Sequence, residues 1–393
     1  MSHTKAKRHG VYGTNARPMI CVPLIFILAL SGSRCPSFAS EPTPPSAASE
    51  TPPQRALDDY IRREMDSQRI PGLSLAVVRA GRLVAAKGYG KASVELDAPA
   101  TPATLYALAS VSKPFTAAAI MLLVEDGKIG LNDPLTNYFS WVPREWSEVK
   151  VRHLLTHTSG IREEEYKGDF LEWERQEHNQ EEIVRTAFGP PLARPGEKFR
   201  YSNTGYRVLG MLIEKVSGQS YWDFLEQRIF HPLGMAATRN SDPQKVIPNR
   251  ARGYGLSDGR LINRDPASAS SAFAQGALIS SVLDMVKWDA ALNSEVLLKK
   301  TSLEEMWTPV RLNDGTTSNY GFGWILRPVN RHKAVAHGGD MPGFAPFIWR
   351  FIDDRLTVIV LSNCETAQTA QIALGVAGLY VPTLLSPEVK KQL

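Results

Sequence analysis

The sequence predicts a mixed α/β (α+β) fold, in which one antiparallel sheet flanked by helices is built from both ends of the folded chain. Residues 73–78 and 82–88 are rich in β-formers and are joined across Ala80-Gly81, which is a hairpin signal. Further β-rich runs lie near the C-terminus, whereas helical spacing of apolar residues dominates residues 107–310. This large, mostly helical region is therefore expected to be inserted between the two halves of the sheet, with a site in the crevice between the two parts.

The individual elements follow from local patterns. Apolar side chains recur near helical spacing in residues 56–67, and the pattern stops before Pro71-Gly72, which predicts the first helix. The inserted region predicts helices at 110–125, 180–188, 204–216, 221–230, 281–292 and 301–307. The C-terminal part predicts strands at 320–326, 333–337, 344–351 and 356–361, followed by a closing helix at 367–379.

The composition is that of a globular protein, with 43% hydrophobic and 22% charged residues in a chain of 393. This excludes collagen-like, disulfide-rich and wholly disordered classes. The net charge of +5 would be compatible with a nucleic-acid or anionic-membrane partner. Residues 1–40, however, contain five basic residues and no acidic residue, which leaves 40 basic against 40 acidic residues in the remainder. We therefore expect no nucleic-acid partner.

The N-terminal segment has the order of a secretory signal peptide: basic residues, an apolar run at 19–30, then small and polar residues. Twelve apolar residues are too few to cross a bilayer as a helix, so we expect cleavage after Ala39, with an uncleaved anchor as the alternative. The chain is then expected to be exported, to the bacterial periplasm or the medium, and to meet the membrane only during export. Cleavage would leave Cys364 as the single cysteine, predicted to be a buried small hydrophobe.

The predicted domain organisation follows from these segments. Residues 1–39 form the signal peptide and the Pro-rich residues 40–54 a linker. The folded domain is predicted at 55–385. Its sheet part comprises about 55–106 and 311–385, and its helical part about 107–310.

A serine and a lysine three residues apart open the helix predicted at 110–125. This spacing places the Ser110 hydroxyl and the Lys113 ammonium on one helix face, and the helix N-terminus favours developing negative charge. The apolar residues that follow would desolvate Lys113 and make it a better base. The same pattern occurs at Ser147 and Lys150, but it lies among polar residues with no apolar helix after it and indicates a solvated surface segment.

Two further motifs distinguish Ser110 from this second match. Tyr201-Ser202-Asn203 is the only Y-x-N in the chain, although an ordinary turn and helix cap would give the same pattern. His337-Gly338-Gly339 is the only H-x-G and ends a β-type run, where the glycines would let a substrate lie against the strand; a strand-end histidine with a purely structural role is the alternative.

Together these residues resemble the penicillin-recognising serine hydrolases, in particular the branch of class C β-lactamases, D-stereospecific peptidases and carboxylesterases. Further similar segments are LLTHTSG at 154–160, GALISS at 276–281, YGFGW at 320–324 and HGGDMPG at 337–343. Their order and spacing match the family across roughly 55–380. The fold of that family, β-lactamase/transpeptidase-like, agrees with the split sheet predicted above.

The resemblance implies acyl transfer through a covalent acyl-serine on Ser110, with no cofactor and no metal. Lys113 and Tyr201 would share the proton transfers, and either the lysine amine or the tyrosine phenolate could be the base. The resemblance also implies that Asn203 binds the substrate and that the oxyanion hole is formed by the backbone N–H groups of Ser110 and Asp340.

The chain departs from the family at position 337, where the β-lactamases carry lysine. Histidine is mostly neutral at pH 7 and is a weaker anchor for a substrate carboxylate. We therefore expect His337, Gly338 and Gly339 to border a site for esters, small amides or peptides. The alternatives are a class C-like β-lactamase or D-alanyl peptidase acting on β-lactam-like substrates, and a penicillin-binding sensor that is acylated without turnover.

Three other patterns have competing interpretations. Residues 255–259 match the G-x-S-x-G elbow of α/β-hydrolases around Ser257, but their flanks are polar and turn-like. His153 and His157 have the spacing of two zinc ligands but lack the intervening glutamate, so we interpret them as structural. Residues 162–182 hold nine acidic and three basic residues with interspersed aromatics, which indicates a solvated face or, alternatively, an anion-repelling lid.

Overall fold

The computed structural model describes residues 52–166 and 168–385, so the predicted signal peptide and all but the last three linker residues lie outside the described residues. The described helices are α1 Pro52–Gln68, α2 Lys113–Glu125, α3 Val151–Leu155, α4 Phe170–Arg175, α5 Gln180–Thr186, α6 Asn203–Ser217, α7 Tyr221–Leu225, α8 Ala269–Gly276, α9 Val282–Ala291, α10 Lys300–Met306 and α11 Thr369–Tyr380. The described strands are β1 Gly72–Arg79, β2 Arg82–Ser93, β3 Ala98–Pro99, β4 Tyr106–Ala107, β5 Arg239–Asn240, β6 Gly253–Ser257, β7 Arg260–Arg264, β8 Leu278–Ser280, β9 Val310–Arg311, β10 Thr317–Ser318, β11 Ile325–Leu326, β12 Ala334–Gly338, β13 Ala345–Phe351 and β14 Leu356–Ser362.

The main sheet joins the two ends of the folded chain, as the sequence predicted. Its strand order is β11-β12-β13-β14-β1-β2-β3, and all neighbouring strands are antiparallel. The central contact pairs Leu73 with Ser362 and Arg79 with Leu356, so the first strand of the domain lies beside the last. The predicted mixed fold with an antiparallel sheet and an inserted helical region is therefore confirmed.

Helices cover both faces of this sheet, and the alternation of side chains along β14 shows how. Val358 and Val360 pack into a core shared with α1 and α11. Ile359 and Leu361, which point to the opposite face because the side-chain period of a strand is two, pack into the larger core of the helical region. Both layers bury apolar surface against the sheet, which is the main stabilising term of such a fold.

Helix α2 occupies the centre of the helical region, and its residues from Lys113 to Leu123 are all buried. A helix that is apolar on every side is typical of a fully enclosed position. This placement brings the charged side chain of Lys113, at the start of α2, into an environment without solvent.

Several elements differ from the prediction. The strand predicted at 320–326 is reduced to Ile325–Leu326, because Gly323 has a φ of +75° and the chain before it packs against other backbone. The segment around Ser257 is a β-hairpin of β6 and β7, which the polar flanks did not predict. The predicted helix at 221–230 divides into α7 and a π-helical turn, Glu226–Phe230.

Cys364 is fully buried, as predicted. Among the described residues, no helix is both long and apolar enough to cross a bilayer.

Candidate active site

Ser110 and Lys113 lie at the start of the buried helix. The segment Ala109–Ser112 is a 3₁₀ turn that leads directly into α2. In a 3₁₀ turn the side chains at positions i and i+3 are eclipsed, so this turn aligns the two residues more closely than an α-helix would. The Lys113 Nζ is 3.0 Å from the Ser110 Oγ.

Lys113 has no solvent-exposed surface, and its nitrogen has two further polar contacts. The Asn203 Oδ1 lies 2.9 Å away and the backbone carbonyl of Gln275 lies 3.0 Å away. Burial lowers the pKa of Lys113 to about 7, against the opposing effect of the Glu163 and Glu164 carboxylates. A substantial fraction of Lys113 is therefore the neutral amine at neutral pH.

Tyr201 is the second residue that contacts the Ser110 Oγ. Its hydroxyl donates to the Ser110 Oγ over 2.9 Å, and the Lys113 Nζ lies 4.8 Å from the centre of its ring. The residue as a whole is 38% exposed, so it borders the opening of the site. Burial of the hydroxyl raises the pKa of Tyr201 well above its ordinary value, and the contact with Ser110 offsets this only in part. The phenolate is therefore disfavoured.

Asn203 is positioned by the start of α6, which Ser202 caps by accepting a hydrogen bond from the backbone N–H of Gly205. The Asn203 backbone N–H donates to Glu163 over 2.8 Å, while its side-chain oxygen accepts from Lys113. The described geometry thus directs Asn203 toward the lysine.

His337 lies on β12 and is 2% exposed. Its Nδ1 is 2.7 Å from the carbonyl of Gly338, so this nitrogen carries the proton, and its Nε2 accepts from the Tyr320 hydroxyl over 2.9 Å. Burial, followed by the nearby Lys113, lowers the pKa of His337 to about 3. Both ring nitrogens of His337 thus have partners within the protein, and its expected place at the border of the substrate site stays a prediction.

The two glycines after His337 allow the end of β12 to approach neighbouring backbone and rings. A Cβ on Gly339 would lie 2.7 Å from the Ala109 Cβ and 2.7 Å from the Leu108 carbonyl oxygen. A Cβ on Gly338 would lie 2.8 Å from the Phe347 ring. Gly339 thus brings the segment leading to Asp340 against the turn that carries Ser110.

The turn itself holds an unusual backbone conformation next to the serine. Ala109 has a φ of +43°, in a region that residues with a Cβ rarely occupy. Such strain persists only where surrounding packing imposes it, and the contact with Gly339 is part of that packing. The N–H of Ser110 lies in the first turn of the 3₁₀ segment, where helical N–H groups lack an intrahelical acceptor.

Other predicted candidates lie apart from this arrangement. Ser147 is exposed beyond a short 3₁₀ turn, and Ser257 is exposed at the tip of the β6–β7 hairpin, where the next element is a strand rather than the helix that a nucleophile elbow requires. Among the described residues, no group of three or more His, Cys, Asp or Glu side chains could hold a metal ion.

The acidic segment 162–182 is partly internal rather than wholly solvated. Glu164 is buried and pairs with the buried Arg207 over 3.0 Å, and Glu163 binds the start of α6. Its aromatic residues Tyr166 and Trp173 contact each other with ring centres 4.8 Å apart. Sequence reasoning recognised the acidic run but did not connect it with Asn203 and Lys113, because that contact spans 40 residues.

The folded part of the chain is similar to known proteins over most of its length. Residues 57–379 match the Beta-lactamase family model. Penicillin-binding protein 4* of Bacillus subtilis is 35% identical over 312 residues, covering 72% of this chain and 68% of that protein. Protein flp of Staphylococcus aureus is 26% identical over 320 residues, covering 80% of this chain and 64% of that protein. The chain thus spans about two thirds of the length of these curated relatives.

Solved structures are similar over most of the chain. The octameric penicillin-binding protein homologue from Pyrococcus abyssi is 33% identical with a TM-score of 0.75, covering 84% of this chain and 77% of that chain. D-amino acid amidase from Ochrobactrum anthropi SV3 is 27% identical with a TM-score of 0.69, covering 86% of this chain and 100% of that chain. With a family match that extends from the first helix to the last, the chain belongs to the beta-lactamase family of serine hydrolases.

Proposed function

We propose that this protein hydrolyses neutral carboxylic esters and small amides through an acyl-enzyme on Ser110. The observation that carries the proposal is the contact of one serine oxygen with two proton carriers, the Lys113 Nζ at 3.0 Å and the Tyr201 hydroxyl at 2.9 Å. A serine hydroxyl is a weak nucleophile unless a base within hydrogen-bonding distance accepts its proton. Both neighbours satisfy that distance.

Lys113 is the better base of the two. When protonated, the Lys113 Nζ donates to the Ser110 Oγ at 3.0 Å. As a neutral amine it offers that oxygen its one lone pair, while its two N–H groups donate to Asn203 and Gln275. Its lowered pKa of about 7 keeps the amine available at neutral pH, whereas the raised pKa of Tyr201 keeps that residue a phenol. Of the two bases that the sequence left open, we therefore propose the lysine.

The reaction then proceeds in two balanced halves. The Ser110 Oγ bonds to the substrate carbonyl carbon and its proton moves to Lys113, while the carbonyl oxygen becomes an oxyanion facing the backbone N–H groups of Ser110 and Asp340. Tyr201 transfers a proton to the leaving alcohol or amine as the bond to it breaks, and is reprotonated from Lys113. Water then attacks the acyl-serine, with proton transfers in the reverse direction, releasing the acid and restoring Ser110.

The preference for neutral substrates rests on the charges around the site. His337 is neutral and enclosed, so it supplies no cation for a substrate carboxylate. Beyond the end of β12, burial and the Asp340 carboxylate raise the pKa of Glu174 to about 7. Arg175 and Arg264 line the same pocket as Glu174, so the preference rests on His337 and not on this part of the surface.

Small amides, including those of D-amino acids, are a second candidate substrate class. A similar solved structure is a D-amino acid amidase, and another is a D-stereospecific amidohydrolase from Streptomyces, 26% identical with a TM-score of 0.68. Tyr201 supports this candidate, because an amine leaving group requires a proton donor and its hydroxyl adjoins the Ser110 oxygen.

A substrate panel tests the proposal. We expect steady turnover of p-nitrophenyl butyrate and of D-alanine p-nitroanilide, with kcat/KM for the ester about 10- to 100-fold above that for an anionic chromogenic cephalosporin, the range that a missing charge-assisted contact produces. Faster hydrolysis of the cephalosporin would instead favour the β-lactamase alternative. One equivalent of product followed by a plateau on all three compounds would favour the penicillin-binding sensor and contradict the proposal.

We also propose that the protein is exported and that residues 1–39 are removed as a signal peptide. The support is the order of basic, apolar and small residues in that segment. N-terminal sequencing of protein recovered from the periplasm or medium of an expressing bacterium is expected to begin at Ser40. Recovery with Met1 intact in the membrane fraction would support the uncleaved anchor instead.

A further inference from the structure

His157 lies directly beside Tyr201, although no step proposed so far involves it. It follows helix α3, is fully buried, and has a φ of +57°, in the left-handed region. A non-glycine residue in that region is held there by its surroundings. His157 is therefore fixed in backbone conformation as well as in side-chain position.

Three contacts connect His157 to the chain on both sides of Tyr201. Its backbone carbonyl accepts from the N–H of Arg200 over 2.7 Å. Its Nδ1 accepts from the N–H of Ser202 over 3.0 Å. Its ring lies 4.3 Å, centre to centre, from the Tyr201 ring, at an interplanar angle of 36°. One residue thus holds the backbone before Tyr201, the backbone after it, and the face of its ring.

The protonation state of His157 suits this arrangement. Because Nδ1 accepts a hydrogen bond, the ring proton must be on Nε2, which is buried and has no hydrogen-bond partner among the described residues. Burial, followed by the positive charges of Lys113 and His337 when these are protonated, lowers the pKa of His157 well below its ordinary value. The imidazole therefore stays neutral and remains an acceptor across the working pH range.

The His157 ring also contacts Tyr320, which in turn contacts strand β12. It lies 4.6 Å from the ring of Tyr320, whose hydroxyl donates to His337. His157 thus packs between the tyrosine that contacts the serine and the tyrosine that engages the strand expected to border the substrate.

We infer that His157 is a positioning residue for Tyr201, holding its hydroxyl in line with the Ser110 Oγ through the Arg200 and Ser202 contacts and the ring contact. The inference rests on the proposed function, since it concerns the proton that Tyr201 gives to the leaving group. A shift of about 1 Å in a catalytic group can lower a rate by about 100-fold, so loss of these contacts has a measurable kinetic effect.

The test compares His157→Gly and His157→Asn, two residues that tolerate a positive φ, with Tyr201→Phe as reference. Glycine removes both the acceptor and the ring, whereas asparagine keeps a side-chain oxygen that can accept from Ser202. We expect His157→Gly to lower kcat on D-alanine p-nitroanilide by about 10- to 100-fold with little change in KM, and His157→Asn to recover part of that loss. His153→Asn, four residues earlier and with its Nδ1 on the N–H of Lys150, is the matched control and is expected to leave kcat unchanged.

The choice of leaving group separates positioning from general damage. p-Nitrophenolate departs as an anion and needs no proton during acylation, so His157→Gly and Tyr201→Phe are both expected to lower kcat/KM, which reports acylation, less for p-nitrophenyl butyrate than for the anilide. An equal loss on both substrates, or an unchanged kcat in His157→Gly with the wild-type melting temperature, would overturn the inference. If His157→Gly does not fold, the same comparison is made with His157→Asn. Absence of turnover in the wild-type protein would instead count against the proposed function.

Discussion

Replacing Ser110 with alanine is expected to lower kcat/KM for p-nitrophenyl butyrate by about 10⁴-fold or more, which amounts to loss of detectable turnover. The variant retains the buried lysine, the tyrosine and the backbone N–H groups, but no oxygen remains to form the acyl-enzyme. Because the substitution removes one oxygen from a half-buried side chain, the melting temperature should remain close to that of the wild type. Steady-state kinetics on protein of matched melting temperature measure the effect.

Two serines elsewhere in the chain supply controls for this result. Ser147 begins the second serine–lysine tetrad, and Ser257 occupies the G-x-S-x-G match. Both are exposed and lie outside the arrangement around Lys113. Ser147→Ala and Ser257→Ala are therefore expected to retain kcat/KM within about twofold of the wild type, because surface substitutions of this kind have little effect. Loss of activity in Ser257→Ala with retention in Ser110→Ala would assign the nucleophile to the hairpin.

Replacing Lys113 with methionine is expected to lower kcat/KM by about 10²- to 10⁴-fold, the usual contribution of a general base. Methionine has a similar length and is compatible with a fully buried position, although it leaves Asn203 Oδ1 and the Gln275 carbonyl without their donor. Lys150→Met, at the lysine of the exposed tetrad, is the matched control and is expected to retain activity. Equal kcat/KM in Lys113→Met and the wild type would exclude the lysine as the base.

If Lys113 is the general base, kcat/KM of the wild-type protein should decrease as the pH is lowered. The pKa of Lys113 is lowered to about 7, so the reactive neutral amine predominates above pH 7, and kcat/KM should fall by about tenfold for each pH unit below it. The lowered pKa of His337, about 3, is too low to cause this fall in kcat/KM. Glu174, whose pKa is raised to about 7, is the other group that could cause it. The variant Glu174→Gln distinguishes Lys113 from Glu174. If Lys113 is the titrating group, kcat/KM should still fall below about pH 7 in that variant.

The fold could be predicted from the sequence because local patterns predict strands at both ends of the folded chain. The hairpin at Ala80-Gly81 and the apolar run at 356–361 each predict strands, and burial of both requires one shared sheet. The predicted spacing of Ser110 and Lys113 likewise depends only on one helical turn. Elements that depend on patterns within a few residues could therefore be predicted from the sequence.

The parts that could not be predicted depend on distant contacts. His337 was expected to border the site, but the sequence could not specify that its ring nitrogens contact the Tyr320 hydroxyl and the Gly338 carbonyl. The alternation of a strand does not specify which hydrogen-bond partners close around a ring. His157 was interpreted from the sequence as structural, because its contacts with the chain around Tyr201 span more than 40 residues and no local pattern indicates them. The same holds for Glu163, which reaches the start of α6 from the acidic segment.

From the sequence, Gly339 was explained by the approach of a substrate, whereas the structure gives a second reason for a glycine at this position. The glycines after His337 were expected to let a substrate approach the strand, whereas the structure shows that a Cβ on Gly339 would collide with Leu108 and Ala109. The absence of a side chain thus serves the contact between the strand end and the nucleophile turn. Sequence alone does not distinguish close approach of a ligand from close approach of the protein's own backbone.

Locating the covalent adduct tests most directly whether Ser110 is the nucleophile. The full protein is labelled with a fluorophosphonate, which reacts with activated serines, then digested and analysed by tandem mass spectrometry, with unlabelled protein and Ser110→Ala in parallel. The proposed acyl-serine mechanism predicts a single stoichiometric adduct on Ser110, formed together with loss of esterase activity and absent from Ser110→Ala. An adduct on Ser257, or full inactivation with Ser110 unmodified, would contradict it.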